Sequence, residues 1–137
     1  MEIPNQIIAD TNALFSLIVP SDPNNQRALA LSAHIRSTHE FLFIPSDVFT
    51  EMLNVFGKKF GHTEANLVAQ TLRDPKAFHI LETASQVRDA ALEMFRRQPK
   101  SVSFTDCIVM ATADTLHTKE IFGFDEVFAK NGYRLPA

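Results

Sequence analysis

The chain is short of the residues that most often mark a site: it has one cysteine, one tyrosine, four glycines and no tryptophan among its 137 residues. A lone Cys107 excludes an internal disulfide, and it agrees with a reducing compartment. Flanked by Ile108, Val109 and Met110, it reads as a buried packing residue. Four glycines leave little room for a phosphate-cradling loop, and neither G-x-G-x-x-G nor G-x-x-x-x-G-K-[ST] occurs. No G-x-S-x-G elbow is present, which argues against a serine hydrolase. The five histidines (His34, His39, His62, His79 and His117) show no pairing at zinc spacing, and the single cysteine cannot complete such a set.

Also missing is any apolar run approaching the roughly 20 residues that cross a bilayer. The opening Met1-Glu2-Ile3-Pro4-Asn5 is acidic and polar rather than basic and then apolar, so no leader is visible and a cytoplasmic location is expected. No basic excess exists either. A formal net charge of −3 argues against a general polyanion-binding surface. It leaves room for a nuclease, in which metal ions supply positive charge locally.

What the chain does have is a core. It is 45% hydrophobic and 21% charged, and its 12 phenylalanines pack without needing a hydrogen-bond partner. One domain spanning 1–137 is the simplest organisation. Ile7-Ile8-Ala9 is an unalternating apolar run, as in a central parallel strand, and a short helix follows over Ala13–Val19. A helix is predicted over Asn25–Ser37, a strand over Phe41–Ile44, a helix from Ser46 or Asp47 to Phe56, and a turn at Lys58-Lys59 between Gly57 and Gly61. Thr63 is expected to cap a helix to Leu72. A third strand falls at Phe78–Leu81, and Ser85 caps a helix carrying Val87, Ala90, Ala91, Met94 and Phe95 on one stripe. Ser103 starts a helix to Leu116, with a strand at Ile121–Phe124, a helical turn at Glu126–Ala129 and an edge strand at Tyr133–Leu135. Strands alternating with helices predict parallel βαβ units in a three-layer α/β sandwich.

Four acids stand out by position. Asp10 ends the first strand, Glu51 lies in the helix after the second, Asp106 opens the long apolar helix, and Asp125 closes the strand Ile121–Phe124. Each has an ordinary explanation. Asp10 and Asp125 read as helix caps, Asp106 makes a capping box with Ser103, and Glu51 reads as a solvated helical residue. Val48 and Val55, however, place Glu51 on an inward stripe. All four map to one edge of an α/β sheet, where such folds place their chemistry. With no Lys or Arg close by in sequence to neutralise them, they call for a divalent cation, and all-oxygen ligation points to Mg²⁺ or Mn²⁺. Asp114, two turns beyond Asp106, is too far from that edge to be a ligand. Lys58 and Lys59, and Arg96 and Arg97, are candidate substrate contacts, although cations are also ordinary at helix C-termini.

These segments resemble the PIN-domain ribonucleases. Ile8-Ala9-Asp10-Thr11-Asn12-Ala13-Leu14 is similar to the family's opening D-T-[NS] motif, and Thr50-Glu51-Met52 to its second acid. Phe104-Thr105-Asp106-Cys107-Ile108-Val109-Met110-Ala111 resembles its [LF]-x-D-x-x-[IV]-x-A helix, and Ile121–Phe128 its closing strand-Asp-x-x-Phe element. Gly123-Phe124 departs from the family's frequent Thr near the last acid. The resemblance implies a mostly parallel five-stranded sheet in the order 3-2-1-4-5, flanked by helices. It implies metal-dependent hydrolysis of single-stranded RNA, with Asp10, Glu51, Asp106 and Asp125 as catalytic metal ligands and Thr11 and Asn12 as supporting contacts. Members of this size resemble VapC toxins, so a cognate antitoxin and a homodimer are implied as partners, and no membrane. The alternative is a non-catalytic PIN-fold module that binds RNA or protein. A phosphate-receiver domain is disfavoured because Thr11, not a second acid, follows Asp10.

Overall fold

A computed structural model of the chain describes residues 6–38 and 40–136. His39 and the acidic opening Met1-Glu2-Ile3-Pro4-Asn5 lie outside the described residues. The centre is β1 (Gln6–Ala9), paired in parallel with β2 (Phe41–Pro45) on one side and β4 (Ile121–Phe122) on the other. β3 (His79–Leu81) joins the outer side of β2, also in parallel, giving the order β3-β2-β1-β4. Ile7, Ile8 and Ala9 are each fully buried, although neighbouring residues of a strand face opposite ways. Both faces of the sheet are therefore covered, as a parallel sheet requires. Each of the fully buried Ile7, Ile8 and Phe122 contributes roughly 1.5–3 kcal/mol by leaving water.

Seven helices connect these strands among the described residues: α1 (Thr11–Ile18), α2 (Asn25–Ser37), α3 (Ser46–Phe60), α4 (His62–Leu72), α5 (Ser85–Arg96), α6 (Phe104–Thr115) and α7 (Glu126–Lys130). α3 and α6 lie against the sheet, while α4 packs on α3, α2 on α1 and α5 on α6. A polar clip fixes the start of α3: the Thr83 hydroxyl donates to Asp47 Oδ2 at 2.6 Å, and the Thr83 N–H donates to Ser46 Oγ at 3.2 Å. That clip sets the rotation at which α3 presents Glu51.

Several boundaries differ from the sequence reading. α3 does not stop at Phe56. It runs through Gly57 and both lysines to Phe60, and ends where Gly61 adopts a φ of 91°, a left-handed conformation that favours glycine. Gly61, not Thr63, precedes α4, and Ala84, not Ser85, precedes α5. Of the apolar stripe expected on α5, Val87 and Ala91 are buried, whereas Phe95 is exposed and meets Phe104 edge-on at 5.5 Å.

The fifth strand is a correction: among the described residues the sheet has four strands, and Tyr133–Leu135 contributes only an isolated parallel bridge between Glu120 and Arg134. The Ile121 N–H donates to Arg134 O at 2.9 Å, and the Arg134 N–H donates to Lys119 O at 2.8 Å. Gly132, at a φ of 91°, turns the chain just before this point, and Pro136 just after it has no N–H to offer a ladder. With one bridged pair, the stretch forms no ladder. What anchors the tail is Tyr133, whose buried hydroxyl donates to Asp114 Oδ1 at 2.7 Å. Asp114 is thus a structural acid. Replacing Tyr133 by Phe is expected to lower stability by about 1.5 kcal/mol through the lost charge-assisted hydrogen bond, read by urea denaturation.

Candidate active site

Because the strands all run the same way, β1, β2 and β4 deliver the chain to a single edge of the sheet. Asp10 is the first residue past β1, and its N–H still donates to Phe122 O on β4 at 2.9 Å. Its side chain then turns to cap α1, Oδ2 accepting from the Asn12 N–H at 3.4 Å. Glu51 arrives in the second turn of α3, half-buried and next to Met52 on the core side. Asp106 closes the capping box of α6: the Ser103 N–H donates to Asp106 Oδ2 at 3.1 Å, and the Asp106 N–H donates to Ser103 Oγ at 3.0 Å. Asp125 caps α7 by accepting from the Val127 N–H at 3.0 Å, and it is exposed.

Their charges bear on one another. Burial raises the Asp10 carboxyl most, and negative Asp106 and then Glu51 raise it further. The N–H groups of Thr11 and Asn12 oppose this, and the balance lies at about 7 instead of 3.8. Burial also leads for Asp106, which is pushed upward against its Ser103 hydrogen bonds, with Asp125 and Glu51 adding to the rise. None of the four acids has an ion-pair partner among the described residues. Thr11, next to Asp10, carries a buried hydroxyl with no hydrogen-bond partner among those residues.

This environment suits a cation. Among the described residues no three His, Cys, Asp or Glu side chains form a group that could enclose a metal ion. The cleft is therefore no preformed cage. Mg²⁺ does not need one, since it is commonly held by one or two carboxylates with water and substrate phosphate completing its shell. Buried oxygen donors in mutual repulsion, with an unsatisfied hydroxyl beside them, fit such an ion.

The family model for the PIN domain matches residues 7–132 of the chain. The chain belongs to the PIN-domain family. No curated protein matches it significantly in sequence. Among solved structures, the PIN domain is similar to the sarcin-ricin loop cleaving toxin VapC20 of Mycobacterium tuberculosis, with a TM-score of 0.82 and 20% identity over 93% of this chain and 96% of that one. It is similar to VapBC2 of Rickettsia felis bound to a promoter DNA fragment, with a TM-score of 0.70 and 12% identity over 96% and 97%. A toxin-antitoxin complex from Klebsiella pneumoniae gives a TM-score of 0.57 and 16% identity over 84% and 82%.

Within this PIN domain the expected substrate contacts separate. Arg97 lines a hollow of about 370 Å³ together with Asp106 and Asp125, so it stands at the acid edge. Lys59 lies over the ring of Phe15, 5.2 Å from its centroid, and Phe15 lines a second hollow that contains Asn12 and Asp125. Lys58 is exposed and lines neither hollow, and Arg96 is turned to Glu93 at 3.2 Å. Three residues escaped the sequence reading. Lys130 shares the hollow of Arg97 while pairing with Glu126 at 3.4 Å, and Arg27 lies 4.5 Å from the centroid of Phe124. Gly123 lets β4 approach Asp10: a Cβ there would sit 3.0 Å from Asp10 Cβ and 2.7 Å from the Phe128 ring. Only the departure from the family's Thr pointed to that glycine.

Two outcomes follow for stability. An acid whose folded value lies above its unfolded one stabilises the fold only while it keeps its proton. From about pH 4 to about pH 7 the unfolded chain releases the Asp10 proton before the folded one does. Metal-free stability should therefore fall by up to about 4 kcal/mol over that range. Asp10→Asn should remove that part of the fall, read as the difference between urea midpoints of the two proteins across pH. Gly123→Ala should destabilise by roughly 1–3 kcal/mol through overpacking, because its neighbours are a packed ring and a strand-end side chain.

Proposed function

We propose that this PIN domain is a metal-dependent ribonuclease that hydrolyses phosphodiester bonds of single-stranded RNA, using Asp10, Glu51, Asp106 and Asp125 with Mg²⁺ or Mn²⁺. The observation that carries this reading is the burial of Asp10 among acids that have no cationic partner among the described residues. Without a ligand the arrangement is electrostatically unfavourable, which suits a place prepared for positive charge. When bound, the ion supplies that charge, stabilises negative charge on phosphate oxygens and acidifies coordinated water.

The chain's own residues orient the reactants. Asp10, Asp106 and Asp125 are each tethered by one carboxylate oxygen to a helix-start N–H. That fixes their rotamers, and a carboxylate with about four acceptor positions keeps capacity for a ligand. Asp10 is the most deeply buried of the four and is the central ligand in this reading, with Glu51 and Asp106 beside it. Asp125, exposed and at the rim, completes the set directly or through water. Thr11 and Asn12 are supporting contacts, and Arg97 offsets phosphate charge on the α7 side.

The partners we assign are RNA, a small protein antitoxin and a second copy of the chain, in the cytoplasm. The Klebsiella structure is a toxin-antitoxin complex, and the Rickettsia structure is VapBC2 on a promoter DNA fragment. Here an apolar hollow of about 1030 Å³, bordered by Ile18, Leu29, Phe41, Leu67 and Phe78, offers such a partner a seat. Leu29, Phe41 and Leu67 are exposed there, and Leu92 and Phe95 form a separate apolar surface on α5. Among the described residues no helix is long and apolar enough to cross a membrane.

Labelled single-stranded RNA incubated with the protein and Mg²⁺ or Mn²⁺ should be cleaved. EDTA should abolish the cleavage, and Asp10→Asn should lower it by at least about 100-fold. Cleavage that survives both controls would sink the proposal. Tight binding without any turnover would favour the non-catalytic module instead.

A further inference from the structure

Asp125 also lines a second hollow, of about 280 Å³, bordered besides by Asn12, Phe15, Asp22, Asn24 and Phe124. Two of its walls are aromatic, and each ring carries a cation. The Arg27 guanidinium carbon is 4.5 Å from the Phe124 centroid, and the Lys59 ammonium is 5.2 Å from the Phe15 centroid. Neither cation is paired with a carboxylate among the described residues. Arg27 is the third residue of α2, where the positive end of the helix dipole disfavours a cation. Helix stability therefore does not explain it. Lys59 lies in the last turn of α3, where a cation is favoured.

Both rings are tied to acid-bearing segments. Phe124 immediately precedes Asp125 and meets Phe122 of β4 edge-on at 6.0 Å. Phe15 belongs to α1, the helix that Asp10 caps. The pairs are thus fixed relative to the carboxylates. A polyanion approaching four carboxylates needs positive charge close to its path, and these two cations lie over the two rings that wall the hollow next to Asp125. Stacking on a ring orders the long Arg and Lys stems while leaving their N–H donors for phosphate.

We propose that the RNA strand crosses the rim of the site through this hollow, with Arg27 on Phe124 and Lys59 on Phe15 holding its backbone phosphates. This rests on the ribonuclease reading and adds the strand's path and two binding residues to it. The contact is to backbone and not to bases, so it strengthens binding of any sequence alike.

The test uses the full chain, with binding measured on the Asp10→Asn background so that RNA survives. Arg27→Ala should raise KM about tenfold with kcat within about twofold, as expected when a contact is shared by ground and transition states. It should also flatten the slope of log affinity against log salt by about 0.7, and Arg27→Ala with Lys59→Ala by about 1.4. Arg27→Lys should restore the slope but not the whole affinity, a pattern that a merely structural role would not give. Thermal melts of each variant identify misfolding, and Phe124→Leu, which keeps apolar packing and removes the ring, should raise KM by itself. Unchanged KM and unchanged salt slope in the double variant of an active protein would overturn the path. Wild-type protein that binds without cleaving is judged on the slopes alone, and wild-type protein that neither binds nor cleaves RNA removes the ribonuclease reading and the path together.

Discussion

Asp10 stands almost out of water at the end of the central strand, and the rest of the molecule is organised around keeping it there. A carboxylate at 2% exposure is unfavourable as an ion unless something positive or a set of hydrogen bonds compensates it. Here two backbone N–H groups compensate only in part, and the other acids make matters worse. Its backbone is held by the N–H bond to β4, and the chain at Gly123 runs so near that an added Cβ there would sit 3.0 Å from the Asp10 Cβ. Such a local cost persists only where the surrounding structure over-determines it, and it is characteristic of sites tuned for a ligand instead of for stability.

Capping is the device that makes the cluster compatible with a folded chain. Asp10, Asp106 and Asp125 each satisfy a helix start while facing the same edge of the sheet. Helix N-termini carry partial positive charge, so negative side chains are stabilised there even before any ion arrives. The same hydrogen bonds hold the rotamers, so positioning and partial charge compensation come from one set of interactions. Glu51 is the exception. It is placed by the rotation of α3, which the Ser46-Asp47-Thr83 clip sets from the far side of β2.

Positive charge is arranged around this cluster and kept out of its centre. Arg97 and Lys130 stand on one side of Asp125, and Arg27 and Lys59 on the other, the latter two over aromatic rings. A cation paired directly with Asp10 would offset the charge that the proposed metal is to meet. Cations set over neighbouring rings leave that charge uncompensated. On the proposed reading, a chain with a net charge of −3 can in this way present locally favourable ground to a polyanion.

The succession of strands and helices up to α7 and the parallel sheet were legible in the sequence, because short-range signals specify them: unalternating apolar runs such as Ile7-Ile8-Ala9 and the Ser103 capping box. Acids at strand ends and in first helical turns marked the candidate site. Local pattern also explains the misplaced boundaries, since Gly57 looks like a stop yet α3 continues to Gly61, where the left-handed turn occurs. The fifth strand failed for a related reason: Tyr133–Leu135 has strand-like residues, but Tyr133 is held by Asp114 and Phe128, and only Arg134 bridges to Glu120. Only the tertiary structure decided which charges meet. That Asp10 is raised by Asp106 and Glu51, that Gly123 abuts Asp10, and that Arg27 comes from α2 to lie on Phe124 all depend on contacts between segments dozens of residues apart. Periodicity reports the face on which a residue lies. It carries no information on which distant residue the fold sets opposite that face, and the electrostatics of this site arise there.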